Sequence, residues 1–140
     1  MAQRWWPMVQ GESEKTEKIT INLGLVDLGQ IDLLVQEGFY TNRTDFIRTA
    51  IRTQLAARRH AVEQTVARRT LTLGSCHYSR RNLEEIRAAG QMIHIRVLGL
   101  ASIAADVSPQ LALATIASVE VLGAFRAPTA VKAALAARTV

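Results

Sequence analysis

A single cysteine in 140 residues rules out an internal disulfide, so nothing in the chain requires an oxidising compartment. Aromatics make up only 5% of the residues, which leaves a core to be built from aliphatic side chains. No uncharged apolar run approaches the roughly 18 residues of a membrane span, because Arg96 and Glu120 interrupt the greasiest stretches. The opening segment MAQRWWPMVQGESEK has no apolar stretch of the signal-peptide kind. Phosphate-binding loops, nucleophile elbows and paired-carboxylate motifs are also missing, which argues against an enzyme and gives no reason to expect a cofactor. What is there, 49% hydrophobic and 21% charged, is a globular composition with room for one ordinary domain or two small ones. The expectation is a soluble cytoplasmic protein.

The net charge of +5 is unevenly spread. Residues 1–40 sum to −3, residues 41–69 to +5 and residues 70–140 to +3. Every basic residue of the central segment is an arginine: Arg43, Arg48, Arg52, Arg58, Arg59, Arg68 and Arg69. Guanidinium groups bond phosphate in a fixed fork, so such a cluster suits a polyanion, although a solvated basic helix has the same composition.

Three zones follow from the patterning. Residues 1–16, polar apart from Trp5-Trp6 and punctuated by Pro7 and Gly11, read as a flexible arm. Residues 17–69 open with Lys18-Ile19-Thr20-Ile21-Asn22-Leu23, an unbroken polar–apolar alternation that predicts a half-buried strand. Leu28, Ile31, Leu34 and Val35 then recur at helical spacing, and Gly38 closes that helix. Asn42, three residues before Asp45, predicts a capped second helix with Phe46, Ile47, Ala50, Ile51 and Leu55 on its apolar face, running on to about Arg69. A lone six-residue strand cannot bury Ile19, Ile21 and Leu23, and it leaves both edges unpaired. Antiparallel pairing of two copies solves both problems and turns Lys18, Thr20 and Asn22 outward.

Residues 70–140 repeat. Leu71-Thr72-Leu73-Gly74, Ile95-Arg96-Val97-Leu98-Gly99 and Val119-Glu120-Val121-Leu122-Gly123 each end in Leu-Gly, with glycines 25 and 24 residues apart. Each is followed by a loop and a helix, at about 80–89, 109–117 and 128–137, with Pro109 and Pro128 in the first turn. This predicts a C-terminal α/β repeat domain of three strand–loop–helix units, either a short parallel sheet or a solenoid. Arg96 and Glu120 hold matching repeat positions and are expected to pair across neighbouring strands for up to about 1 kcal/mol. The helix face around Leu111, Ile116, Val131 and Leu135 must be covered by something, and the C-terminal domain is expected to mediate further association between dimers.

The order strand, helix, Gly turn, helix, with Gly38-Phe39-Tyr40-Thr41-Asn42-Arg43-Thr44-Asp45-Phe46-Ile47-Arg48 at the turn, resembles the ribbon-helix-helix family (CopG/Arc/MetJ type) over residues 17–57. Gly24-Leu25 departs from the proline common after the family's strand, and Gly29 costs helix propensity. The resemblance implies a transcriptional regulator that is a homodimer and reads the major groove of double-stranded DNA with a two-stranded ribbon. Lys18, Thr20 and Asn22 then contact base edges, Lys18 favouring guanine and Asn22 adenine. The turn Asn42, Arg43 and Thr44 holds a phosphate, as free amides at a helix start also favour. Ile19, Ile21 and Leu23 with Phe46, Ile47 and Ile51 form the dimer core.

Nickel-responsive relatives in that family use several closely spaced histidines and a cysteine. Here Cys76-His77 are adjacent and His94 lies 17 residues on, so no metal site is expected. An antitoxin reading requires a tail that folds on a toxin, and residues 70–140 are too apolar and too regular for that. A ligand-sensing role for the C-terminal domain rests on analogy alone.

Overall fold

A computed structural model describes residues 16–140. The arm expected at 1–16, with Trp5 and Trp6, lies outside the described residues except for Thr16. The chain divides into two compact units: Lys18–Thr65, and Val66–Val140 together with Thr16 and Glu17.

In the first unit, α1 spans Leu25–Gln36 and α2 spans Arg43–Ala57. Gly38, at φ 84°, ends α1 in a left-handed turn. Its amide donates to the Val35 carbonyl at 3.1 Å and the Phe39 amide to Leu34 at 3.0 Å, satisfying two carbonyls the helix would leave open. The predicted start of α2 is also observed, since the Asn42 side chain accepts from the Asp45 amide at 2.8 Å. The continuous helix expected as far as Arg69 is instead two. The chain breaks at Arg58, whose amide bonds back to Leu55 in a tightened last turn, and α3 then spans Arg59–Arg69.

The second unit contains three parallel strands in the order β1–β2–β3: β1 Thr72–Tyr78, β2 Ile93–Ile103 and β3 Ile116–Arg126. Helices α4 Arg80–Ala88, α5 Pro109–Thr115 and α6 Thr129–Leu135 follow the strands in turn. Ser79 and Asn82 exchange side-chain bonds with each other's amides at 3.1 Å, closing a capping box on α4. Ser108 caps α5 with Pro109 in its first turn, whereas Pro128 is the cap residue of α6 rather than part of its first turn.

The Leu-Gly repeat is a register. Leu73 lies beside Leu98 and Leu98 beside Leu122; Gly74, Gly99 and Gly123 align in the next row. The strands were expected to stop at these glycines. They run through them, because each glycine takes a positive φ, between 123° and 139°, that bends the strand without ending it. A Cβ on Gly99 would lie 2.1 Å from the Gly74 carbonyl oxygen, and one on Gly123 equally close to that of Gly99. The backbones therefore stack so closely that no side chain fits at Gly99 or Gly123.

Alternation across the sheet separates two faces. Ile95, Val97, Ala101, Ile103 and Val119 point to the side covered by Leu83 and Ile86 of α4, Leu111 of α5, and Val131 and Leu135 of α6. Each valine, leucine or isoleucine among them, fully buried, contributes about 1.5–3 kcal/mol. The cover required by Leu111, Ile116, Val131 and Leu135 is supplied by the chain's own sheet and helices, so these residues need no further copies to bury them. Beyond the helices the chain returns to β3, where Val140 donates to the Val119 carbonyl at 2.9 Å and lines that sheet edge.

Candidate nucleic-acid interface

Residues 16–24 belong to neither helix nor strand in the single chain. Ile19, Ile21 and Leu23 are 72%, 56% and 40% exposed, and Lys18, Thr20 and Asn22 are exposed as well. Both the apolar and the polar set of the amphipathic segment are therefore solvent-facing. In α2 no residue is buried, with Phe46 and Ile47 half-buried and Ile51 exposed. Ile31 of α1 is the buried apolar side chain of this unit among the described residues. One helix pair with a single covered isoleucine has little to hold it together alone.

The turn between α1 and α2 is better fixed. Tyr40 and Phe46 meet edge to face with centroids 5.0 Å apart, which pins the entry to α2. Asp45 accepts from the Thr41 amide at 2.9 Å while its own amide goes to Asn42. The amides of Arg43 and Thr44, in the first helical turn, have no acceptor within the helix and sit at its positive end. This is the geometry an oxyanion needs, although the Asn42 side chain is already committed to the cap.

Arg43 is where sequence reasoning fell short. Its Nε donates to Asp32 Oδ1 at 2.7 Å and its Nη2 to Oδ2 at 2.8 Å, a two-pronged bond across the turn between exposed groups. The hydrogen bond from Arg43 holds the Asp32 carboxyl below its usual range, against slight desolvation and with help from the arginine's charge. The same bond raises the Arg43 guanidinium. Two of its five N–H groups are thereby engaged and three remain for another acceptor. Nothing in the spacing of Asp32 and Arg43, eleven residues apart on two different helices, signalled this pair. Arg48, Arg52, Arg58 and Arg59 are all exposed.

In the second unit the other singled-out residues have structural partners. Cys76 is buried, and burial pushes its thiol up from the ordinary value. His77 Nδ1 lies 2.8 Å from Ser102 Oγ, and His94 Nδ1 lies 2.7 Å from Ser118 Oγ, each across adjacent strands. Among the described residues, no three His, Cys, Asp or Glu side chains gather as metal ligands would. Arg96 and Glu120 are register partners 3.4 Å apart, as expected, and Arg69 joins them on Glu120. No helix among the described residues is long and apolar enough to cross a membrane.

Comparison with known proteins adds one finding. No curated protein and no solved structure matches the chain. The profile of the Ribbon-Helix-Helix transcriptional regulator family, however, matches residues 14–132 and so takes in the exposed segment, the helix pair and nearly all of the three-strand unit. The chain belongs to the Ribbon-Helix-Helix transcriptional regulator family.

Proposed function

We propose that the chain is a homodimeric, sequence-specific DNA-binding regulator without catalytic activity, acting in the cytoplasm. Two copies of residues 18–23 pair antiparallel, cover Ile19, Ile21 and Leu23 against Phe46, Ile47 and Ile51, and present Lys18, Thr20 and Asn22 to the major groove. The observation that carries this reading is the exposure of all three apolar side chains in a segment of strict alternation beside a helix pair that has almost no core. Covering each of them fully in a dimer is worth about 1.5–3 kcal/mol. The amides of Arg43 and Thr44, together with the Arg43 nitrogens not held by Asp32, grip one phosphate beside the ribbon. Residues 17–69 form the DNA-binding domain, and residues 70–140 form a separate domain serving higher-order association.

Binding to selected duplexes, followed in parallel for variants, tests the division of labour. Asn22→Ala is expected to relax preference at one base position by about 1–3 kcal/mol. Arg43→Ala is expected to weaken all duplexes alike and to flatten the dependence on salt. If Thr20→Ala with Asn22→Ala leaves binding to the preferred duplex unchanged, the ribbon does not read sequence.

A further inference from the structure

The three strands do not start level. β1 begins at Thr72, opposite Val97, so Ile93–Arg96 of β2 have no neighbour from β1. A cavity of about 530 Å³ lies at this amino-terminal end of the sheet, lined by Arg96, Glu120, Thr70, Thr72, Ile86 and Ile93 among others. One donor in its wall is unmatched. The Nε of Arg96 is buried and makes no hydrogen bond, although Glu120 Oε2 stands 3.4 Å away. The side chain as a whole is 41% exposed, so a solute can reach the guanidinium. The other Glu120 oxygen, Oε1, accepts from Arg69. Two guanidinium groups thus share one carboxylate. A buried charged donor without an acceptor is costly, and such groups ordinarily have a partner.

We propose that this cavity binds a small carboxylic acid with a hydrocarbon body, its carboxylate seated on the Arg96 guanidinium. A carboxylate is planar and matches the guanidinium fork, and it gives the Arg96 Nε the acceptor that Glu120 does not supply. The side chains of Arg69, Arg96 and Glu120 sum to one positive charge, which a single carboxylate neutralises; a doubly charged phosphate would crowd Glu120 instead. Ile86 and Ile93 offer the hydrocarbon part a surface away from water, and Thr70 and Thr72 offer hydroxyl donors. The volume falls within the roughly 300–1,000 Å³ of small-molecule sites. All of these residues lie within Val66–Val140, so the site belongs to the C-terminal unit by itself and does not rest on the DNA-binding reading.

Calorimetric titration of the full chain without DNA, with sodium octanoate, octanol and inorganic phosphate as separate probes, is the test. Octanoate is expected to bind saturably at one site per chain, and octanol and phosphate about tenfold more weakly or not at all. Arg96→Gln is expected to weaken octanoate by about tenfold or more while circular dichroism stays unchanged. Glu120→Gln removes the competing carboxylate and is expected to tighten octanoate several-fold. General loss of structure would act in the opposite direction, so this variant decides the matter even if Arg96→Gln does not fold. The absence of saturable octanoate binding would overturn the proposal. So would octanol binding as tightly as octanoate, phosphate binding more tightly, a folded Arg96→Gln chain that binds octanoate like the wild type, or weaker binding in Glu120→Gln. No DNA is present, so failure here leaves the DNA-binding reading untouched.

Discussion

Replacing the stacked glycines with alanine separates two physical effects that the sheet combines. Gly74, Gly99 and Gly123 all hold φ between 123° and 139°, so any L side chain at these positions is strained, by roughly 1–3 kcal/mol. At Gly74 that is the whole effect, because a Cβ there meets nothing within 4 Å. At Gly99 and Gly123 the Cβ also falls 2.1 Å from a neighbouring strand's carbonyl oxygen, and backbone cannot swing aside as a flexible side chain can. Parting two hydrogen-bonded strands adds a cost like that of overpacking a core, about 1–3 kcal/mol. Gly74→Ala is therefore expected to lose about 1–3 kcal/mol, and Gly99→Ala and Gly123→Ala about 2–6 kcal/mol each. That is a large part of the roughly 5–15 kcal/mol by which domains are stable. Urea midpoints of the full chain, followed by far-ultraviolet circular dichroism, measure the ranking. If Gly99→Ala is no worse than Gly74→Ala, the close carbonyl approach does not govern the sheet.

Other consequences are local. Gly29, inside α1 with open space around its Cα, is expected to gain about 0.5–1 kcal/mol on change to alanine, read as a raised urea midpoint. Burial, and secondarily Cys76, pushes the Tyr78 phenol from 10.0 up to about 12. Because folding favours the neutral phenol, that stability is complete below pH 10 and lost as pH rises from 10 through about 12. The loss amounts to about 3 kcal/mol, and Tyr78→Phe is expected to remove it from the alkaline limb of a stability–pH profile. Asp32→Ala releases Arg43 and is expected to tighten binding to all duplexes and steepen its salt dependence; unchanged affinity means that the Asp32 pair does not limit Arg43's grip on phosphate.

Much of this was readable in advance where one residue type has one structural consequence. Gly38 and Asn42 bracket the turn between α1 and α2 because a left-handed end and a side-chain cap have few alternatives. The 24- and 25-residue spacing of Leu-Gly gave the repeat, and parallel pairing converts equal spacing into register. The strand extents were not readable, since glycine usually marks where pairing stops and only the close approach of three backbones reveals why it persists here. The break at Arg58 has no glycine or proline to announce it. The cover over Leu111 and Leu135 depends on which side of the sheet the helices occupy, which a helical pattern alone leaves open. The Asp32–Arg43 bond depends on the angle of two helices, so residue order gave no sign of it.

Selection of duplexes from a random pool by the full chain, run beside the Thr20→Ala, Asn22→Ala double variant and beside a measurement of mass in solution, tests the central claim most directly. The account predicts a dimer that enriches two-fold-symmetric sites, with the enrichment lost and the dimer kept in the variant. A stable monomer, or an identical set of sites enriched by the variant, would contradict it.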